Sequence, residues 1–185
     1  MTDRSKLISL LASRSTKRGQ FTLASGKTST IYIDARLTTM SPDGLSLIGP
    51  LGLDALRKAS WKADAVGGLT LGADPIAYAI SYASASAENP VRAFTVRKQA
   101  KDHGTGKLIE GPFNPGDRVV VVEDVITTGR SALQAIDAVR QQHGVILGVL
   151  ALVDREEGGR EAIEAEGIDV ISIVRVSEII RTLHD

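Results

Sequence analysis

The run Val119-Val120-Val121-Val122-Glu123-Asp124-Val125-Ile126-Thr127-Thr128-Gly129-Arg130-Ser131 decides the fold class. Four consecutive valines suit a strand buried on both faces: β-branched side chains pack well on a pleated surface, and no polar position is left for solvent. The apolar run ends in two adjacent carboxylates. Two threonines, a glycine and a serine then open a helix predicted over Ser131 to Gln142, ending near Gly144. A buried strand passing through a short polar turn into a helix begins a βαβ unit.

The same alternation continues outward in both directions. Val145 to Val153 is a strongly apolar strand, Arg160 to Glu166 a short helix halted by Gly167, Ile168 to Val174 a strand, and Val176 to Leu183 a closing helix. Towards the N-terminus, Ala65 to Leu69 and Val91 to Val96 read as strands joined by a helix that starts at Asp74-Pro75 and runs to about Ala85. Ser41 caps an earlier helix and Pro42 suits its first turn. Lys6 to Ser13 has apolar residues at helical spacing, and Phe21 to Leu23 and Ile31 to Ile33 are short strands around the polar turn Ser25-Gly26-Lys27. The expectation is one α/β domain over residues 1–185. It has a mainly parallel twisted sheet flanked by helices, and an N-terminal helix and small hairpin hood over residues 1–40.

Composition narrows the function classes. Twenty-two Lys and Arg balance 22 Asp and Glu in the 185 residues, which argues against a nucleic-acid binder. There is no cysteine, so disulfides and thiolate metal sites are excluded. His103, His143 and His184 form no His-x-x-x-His pair, and no zinc site is expected. The first residues lack the apolar run of a signal peptide, and nothing approaches the ~18 apolar residues of a membrane span. The chain reads as a soluble cytoplasmic protein with no membrane partner.

In parallel sheets ligands bind at the carboxyl ends of strands, and three segments there are rich in chemistry. The first is the turn after Val122. Unpaired N–H groups at a helix N-terminus, the hydroxyls of Thr127, Thr128 and Ser131, and a glycine that brings backbone close to a ligand would cradle a phosphate. Glu123 and Asp124 beside them can accept hydrogen bonds from vicinal hydroxyls, so the turn fits a ribose 5-phosphate. The second segment, 97–111, separates two strands by a stretch long enough for a mobile lid. It gathers Arg97, Lys98, Lys101, His103 and Lys107 with glycines at 104, 106 and 111. Such cations suit a pyrophosphate leaving group. The third is Val153-Asp154-Arg155, where an arginine fork can pair with a carboxylate or carbonyls.

Val121-Val122-Glu123-Asp124-Val125-Ile126-Thr127-Thr128-Gly129 resembles the signature of type I phosphoribosyltransferases, which use 5-phosphoribosyl 1-diphosphate (PRPP). Arg-Lys-x-Ala-Lys-x-His-Gly-x-Gly, starting at Arg97, resembles the catalytic loop of the orotate phosphoribosyltransferases. The resemblance implies the type I phosphoribosyltransferase fold and transfer of phosphoribosyl from PRPP to orotate, giving orotidine 5′-monophosphate and diphosphate in UMP biosynthesis. It implies donor contacts from Arg97, Lys98, Lys101, His103, Glu123, Asp124, Val125, Ile126, Thr127, Thr128, Gly129, Arg130 and Ser131. Lys101, His103 and Asp124 would serve catalysis, and Thr127, Arg155, Tyr32 and Ile33 would hold orotate. Mg²⁺ would be held mainly by PRPP and water, with no direct protein ligand. The loop would close over the neighbouring subunit of a homodimer. One branch of the family has lysine where Ala24 stands and a tyrosine-lysine pair where Leu71-Gly72 stands, so two cationic donor contacts are absent here. Two rivals are a phosphoribosyltransferase for another base and a non-catalytic regulator that senses PRPP.

Overall fold

The computed structural model describes residues 2–22, 28–99 and 108–183. Its elements are α1 (Asp3–Leu10), β1 (Thr16–Thr22), β2 (Thr28–Ile33), α2 (Arg36–Thr39), α3 (Pro42–Lys58), β3 (Ala65–Leu69), α4 (Ala73–Ala83) and β4 (Arg92–Val96). They continue with β5 (Ile109–Glu110), β6 (Arg118–Ile126), α5 (Arg130–Gln141), β7 (Val145–Asp154), α6 (Gly159–Glu164), β8 (Val170–Arg175) and α7 (Val176–Thr182).

A six-stranded sheet runs in the order β5-β4-β3-β6-β7-β8, and only β5 is antiparallel to its neighbour. The four valines 119–122 are fully buried in β6, at the centre of this sheet. One core packs α1, α3, α4 and α7 on one face through Leu7, Ile48, Ile76, Ile80 and Ile179. A second packs α5 and α6 on the other through Ala135, Ile136, Val139 and Ile163. Alternate residues of β6 therefore supply both cores: Val120 and Val122 face one, Val119 and Val121 the other. The sheet's outer edges are brief or covered. β5 has two residues, and on β8 the Arg160 guanidinium donates to the Val170 carbonyl and to Ser172 Oγ.

Several boundaries differ from the sequence expectation. The strand expected at Val119 to Val122 continues through Glu123 and Asp124 to Ile126, because the long partner β7 keeps pairing it, Glu123 with Ala151 and Ile126 with Asp154. The acidic pair thus sits inside the strand. β1 begins at Thr16 rather than Phe21. With β2 it forms a separate two-stranded ribbon, so its polar start needs no apolar alternation. The first helix starts at Asp3, capped by Thr2 Oγ1 on the Ser5 amide, and a wider turn over Leu11–Ser15 follows it. α2 and β5 are too short to leave a periodic signal.

Candidate active site

A cleft of about 570 Å³ opens at the carboxyl ends of β3 and β6. One wall is the end of β2 with the turn into α2, residues 32–36; another is the 69–72 loop after β3. Lys98, the whole run from Glu123 to Ala132, and Arg155 complete it. Tyr32, Ile33, Lys98, residues 123–131 and Arg155 were singled out in the sequence, and the fold brings them around one space. Arg97 is placed apart from that lining, with Nη1 on Glu110 Oε1 at 2.9 Å. Lys101 and His103 lie outside the described residues, as do Ala24 and the Ser25-Gly26-Lys27 turn.

The acidic pair is charged only at a cost. Glu123 is half-buried, but its Oε2 is hidden from solvent and has no hydrogen-bond partner among the described residues. Burial first, and the neighbouring Asp124 second, push its carboxyl up to about 8. Asp124 is also raised by burial, while the Val125 amide on its Oδ1 (2.8 Å) and the field of Arg36 pull the other way. Near neutral pH, Glu123 therefore keeps its proton and can donate as well as accept. A vicinal diol, which also does both, matches such a pair.

Beyond the pair the chain turns at Gly129, with φ +77°, into α5. No side chain caps this helix, contrary to the ordinary Thr or Ser start. Its first amides are left without intrahelical acceptors and face the cleft end of the sheet. Beside the expected close approach to ligand, Gly129 has a second constraint. A Cβ there would lie 2.7 Å from the Gly159 carbonyl oxygen, and one on Gly159 would lie 2.6 Å from the Thr127 carbonyl oxygen. The two turns touch backbone to backbone.

The opposite end of the cleft is arginine-rich and densely bonded, with Glu157 Oε2 buried and without a partner among the described residues. Arg155 hangs from the Ile126 carbonyl by its amide (3.0 Å), and only 6 % of its side chain is exposed. Its Nε donates to Glu157 Oε1 at 2.8 Å, and its Nη2 reaches Ser29 Oγ (3.3 Å) and the Ile31 carbonyl (3.4 Å). Arg155 therefore ties β2 to the main sheet. Asp154 fixes the turn beneath it, accepting from the Glu156 amide (2.8 Å) and from Arg160 Nε (2.9 Å). Glu157 and Arg160 were not anticipated. The Asp-Arg-Glu-Glu-Gly-Gly-Arg run from 154 to 160 was the available signal.

The 69–72 loop carries no cation. Asp74 holds its start, accepting from Thr70 Oγ1 at 2.6 Å and from Thr95 Oγ1 at 2.9 Å. A Cβ on Gly72 would fall 2.5 Å from Asp124 Cγ and 2.6 Å from both of its carboxyl oxygens. Position 72 must be glycine for Asp124 to stand where it does. The hood wall adds Arg36, also unanticipated, whose Nε and Nη2 grip Asp34 Oδ1 and Oδ2 at 2.8 and 3.0 Å.

No protein-family model matches the chain. It is 49 % identical over 183 residues to an orotate phosphoribosyltransferase of Aquifex aeolicus, covering 97 % of this chain and 99 % of the relative. The chain belongs to the orotate phosphoribosyltransferase family. Among solved structures, Mycobacterium tuberculosis orotate phosphoribosyltransferase in complex with Fe(III) dicitrate superposes with a TM-score of 0.84. That pair is 44 % identical, over 96 % of this chain and 99 % of the other. The same enzyme in complex with PRPP superposes with a TM-score of 0.80 at 42 % identity, over 96 % and 99 %. The type I phosphoribosyltransferase fold of this family is the one built here, with β6 and α5 carrying the phosphoribosyl signature.

Proposed function

We propose that the cleft at the end of β6 transfers the phosphoribosyl group of PRPP to orotate, a step of pyrimidine biosynthesis that yields orotidine 5′-monophosphate and diphosphate. The observation that carries this reading is a half-buried, uncompensated acid pair beside the uncapped amides of α5, one strand away from Arg155. Glu123 and Asp124 hold the ribose hydroxyls. The α5 amides with the Thr127, Thr128 and Ser131 hydroxyls hold the 5-phosphate. Arg155, released from Glu157, pairs with the orotate carboxylate, and Tyr32, Ile33 and Thr127 frame the ring. The C1′–O bond breaks with its electron pair leaving on diphosphate while orotate N1 bonds to C1′. No covalent nucleophile is needed; positioning and charge stabilisation supply the rate.

Lys101 and His103, with Arg97 and Lys98, stabilise the departing diphosphate from the 97–111 segment. Magnesium bound to the diphosphate and ribose oxygens would neutralise charge on the leaving group. The donor set fits an ion carried in on substrate and water: Glu123 and Asp124 are the nearby carboxylates, and among the described residues no three His, Cys, Asp or Glu gather as a cage. The working unit is a homodimer in the cytoplasm. Exposed Leu71, Tyr78 and Tyr82, on the cleft loop and the helix after it, give a second copy an apolar surface to dock on.

Orotate consumption followed by ultraviolet absorbance tests the reading. Consumption should require PRPP and Mg²⁺, stop with chelator, and exceed that of adenine or hypoxanthine by orders of magnitude. Turnover of a purine instead of orotate, or PRPP binding without turnover, would favour the other-base and regulator readings. Lys101→Ala should lose most turnover and keep orotate binding. Mixed with Asp124→Asn, it should recover activity through hybrid dimers.

A further inference from the structure

The cleft has a charge problem at its mouth. A diphosphate placed against the 69–72 loop meets no cation there, and it meets Asp124 where a side chain at position 72 would otherwise stand. Of the described cations that line the cleft, Arg155 is tied to Glu157 and the β2 backbone, while Lys98 and Arg130 are exposed. Arg36 differs from all three. Half exposed, it lines the cleft on the hood wall, close enough for its charge to act on Asp124, which itself abuts Gly72. A two-toothed pair with Asp34 fixes its guanidinium plane, and the Arg36 amide adds a third bond to Asp34 Oδ1 at 3.2 Å. That pairing uses Nε and Nη2; Nη1 has no partner among the described residues.

We propose that Arg36 is a donor-binding residue: clamped by Asp34, it offers its free Nη1 edge to the diphosphate of PRPP across the cleft from Gly72. The proposal rests on the phosphoribosyl-transfer reading and names a residue that reading leaves out. A fork held in place loses little side-chain entropy when it binds, which is how one arginine can serve where the facing loop contributes only backbone. Its position beside Asp124 assigns it to the ribose-diphosphate end rather than to the pyrimidine end, where Arg155 stands.

The test is a split between substrates. Titration calorimetry with PRPP and with inorganic pyrophosphate, both with Mg²⁺, is run on the wild type, Arg36→Ala, Arg36→Lys and Arg155→Ala, alongside steady-state KM values. Arg36→Ala should weaken PRPP and pyrophosphate by roughly tenfold or more, the loss of one charge-assisted contact, with orotate KM within about twofold. Arg36→Lys should recover part of that loss, and Arg155→Ala should show the reverse split. Asp34→Asn, which loosens the clamp but keeps the cation, should weaken PRPP by a smaller factor and carries the test if Arg36→Ala fails to fold. Unchanged PRPP and pyrophosphate affinity in the Arg36 variants, or equal weakening of donor and orotate, overturns the proposal. Failure of the wild type to bind PRPP would instead overturn the reading beneath it.

Discussion

The two poles of the cleft solve the same electrostatic problem in opposite ways. At the end proposed for the sugar, Glu123 and Asp124 are half-buried with no ion pair among the described residues and only the field of Arg36 acting on Asp124, and the cost appears as raised proton affinity. At the end proposed for the pyrimidine, Arg155 is more deeply hidden and already bonded to Glu157, Ser29 and the Ile31 carbonyl. On the proposed function, the first end would gain its partners from ligand. The second would exchange one partner for another. Charge left unpaired favours tight capture; charge already paired favours selectivity, because only a carboxylate can replace a carboxylate on that fork.

This contrast can be broken or sharpened by mutation. The largest effect is expected from Gly72→Ala, which forces the Asp124 carboxylate aside; kcat/KM should fall by about 100-fold or more with little change in melting temperature. Retained activity would mean that Asp124 need not stand where it does. Arg155→Ala comes next. It should raise the orotate KM by roughly 10- to 100-fold, the range of a charge-assisted bond, and the PRPP KM much less. Equal effects would erase the distinction between the poles.

Glu123→Gln probes the stability cost. Below pH 4.5 the folded and unfolded chains both hold this proton; between about 4.5 and 8 only the fold keeps it. Stability therefore falls as pH rises through that window, and glutamine removes the fall. Thermal melts of the ligand-free variant should nearly match wild type near pH 4.5 and gain several kcal/mol, up to about 5, by pH 8.5. The smallest effect belongs to Glu157→Gln. Orotate no longer competes with a full charge for Arg155, so its KM should drop by about two- to fivefold, read by steady-state kinetics.

The architecture was legible where burial left a long apolar signature. Val119–Val122 and Val145–Val153 sit between two layers of helices, so every side chain is apolar and the assignment to a central parallel strand follows. The hood was harder to read. Thr16-Lys17-Arg18-Gly19 belongs to a two-stranded ribbon whose core contacts come from Ile31 and Ile33 on β2, so the exposed start of β1 writes no alternation into its sequence. Glu123, Asp124, Thr127 and Arg155 could be singled out from sequence because each sits at the end of a long apolar strand, and the fold places all four around one cleft. Arg36, Glu157 and Arg160 were not, since each acts on a carboxylate, a guanidinium or a carbonyl whose nearness only the fold creates. The expectation that Gly129 brings backbone close to a ligand did not foresee its second role, since a Cβ there would lie 2.7 Å from the Gly159 carbonyl oxygen.

That glycine seam has a mechanical consequence. The turn that would grasp the esterified sugar and the turn that follows the pyrimidine's proposed arginine meet main chain to main chain, with only Ile126 and Ile163 packed at the contact. Neither glycine has room for a side chain, so the spacing of the two turns is fixed by backbone contact. On the proposed function, that contact holds the seats of the two substrates at a constant separation.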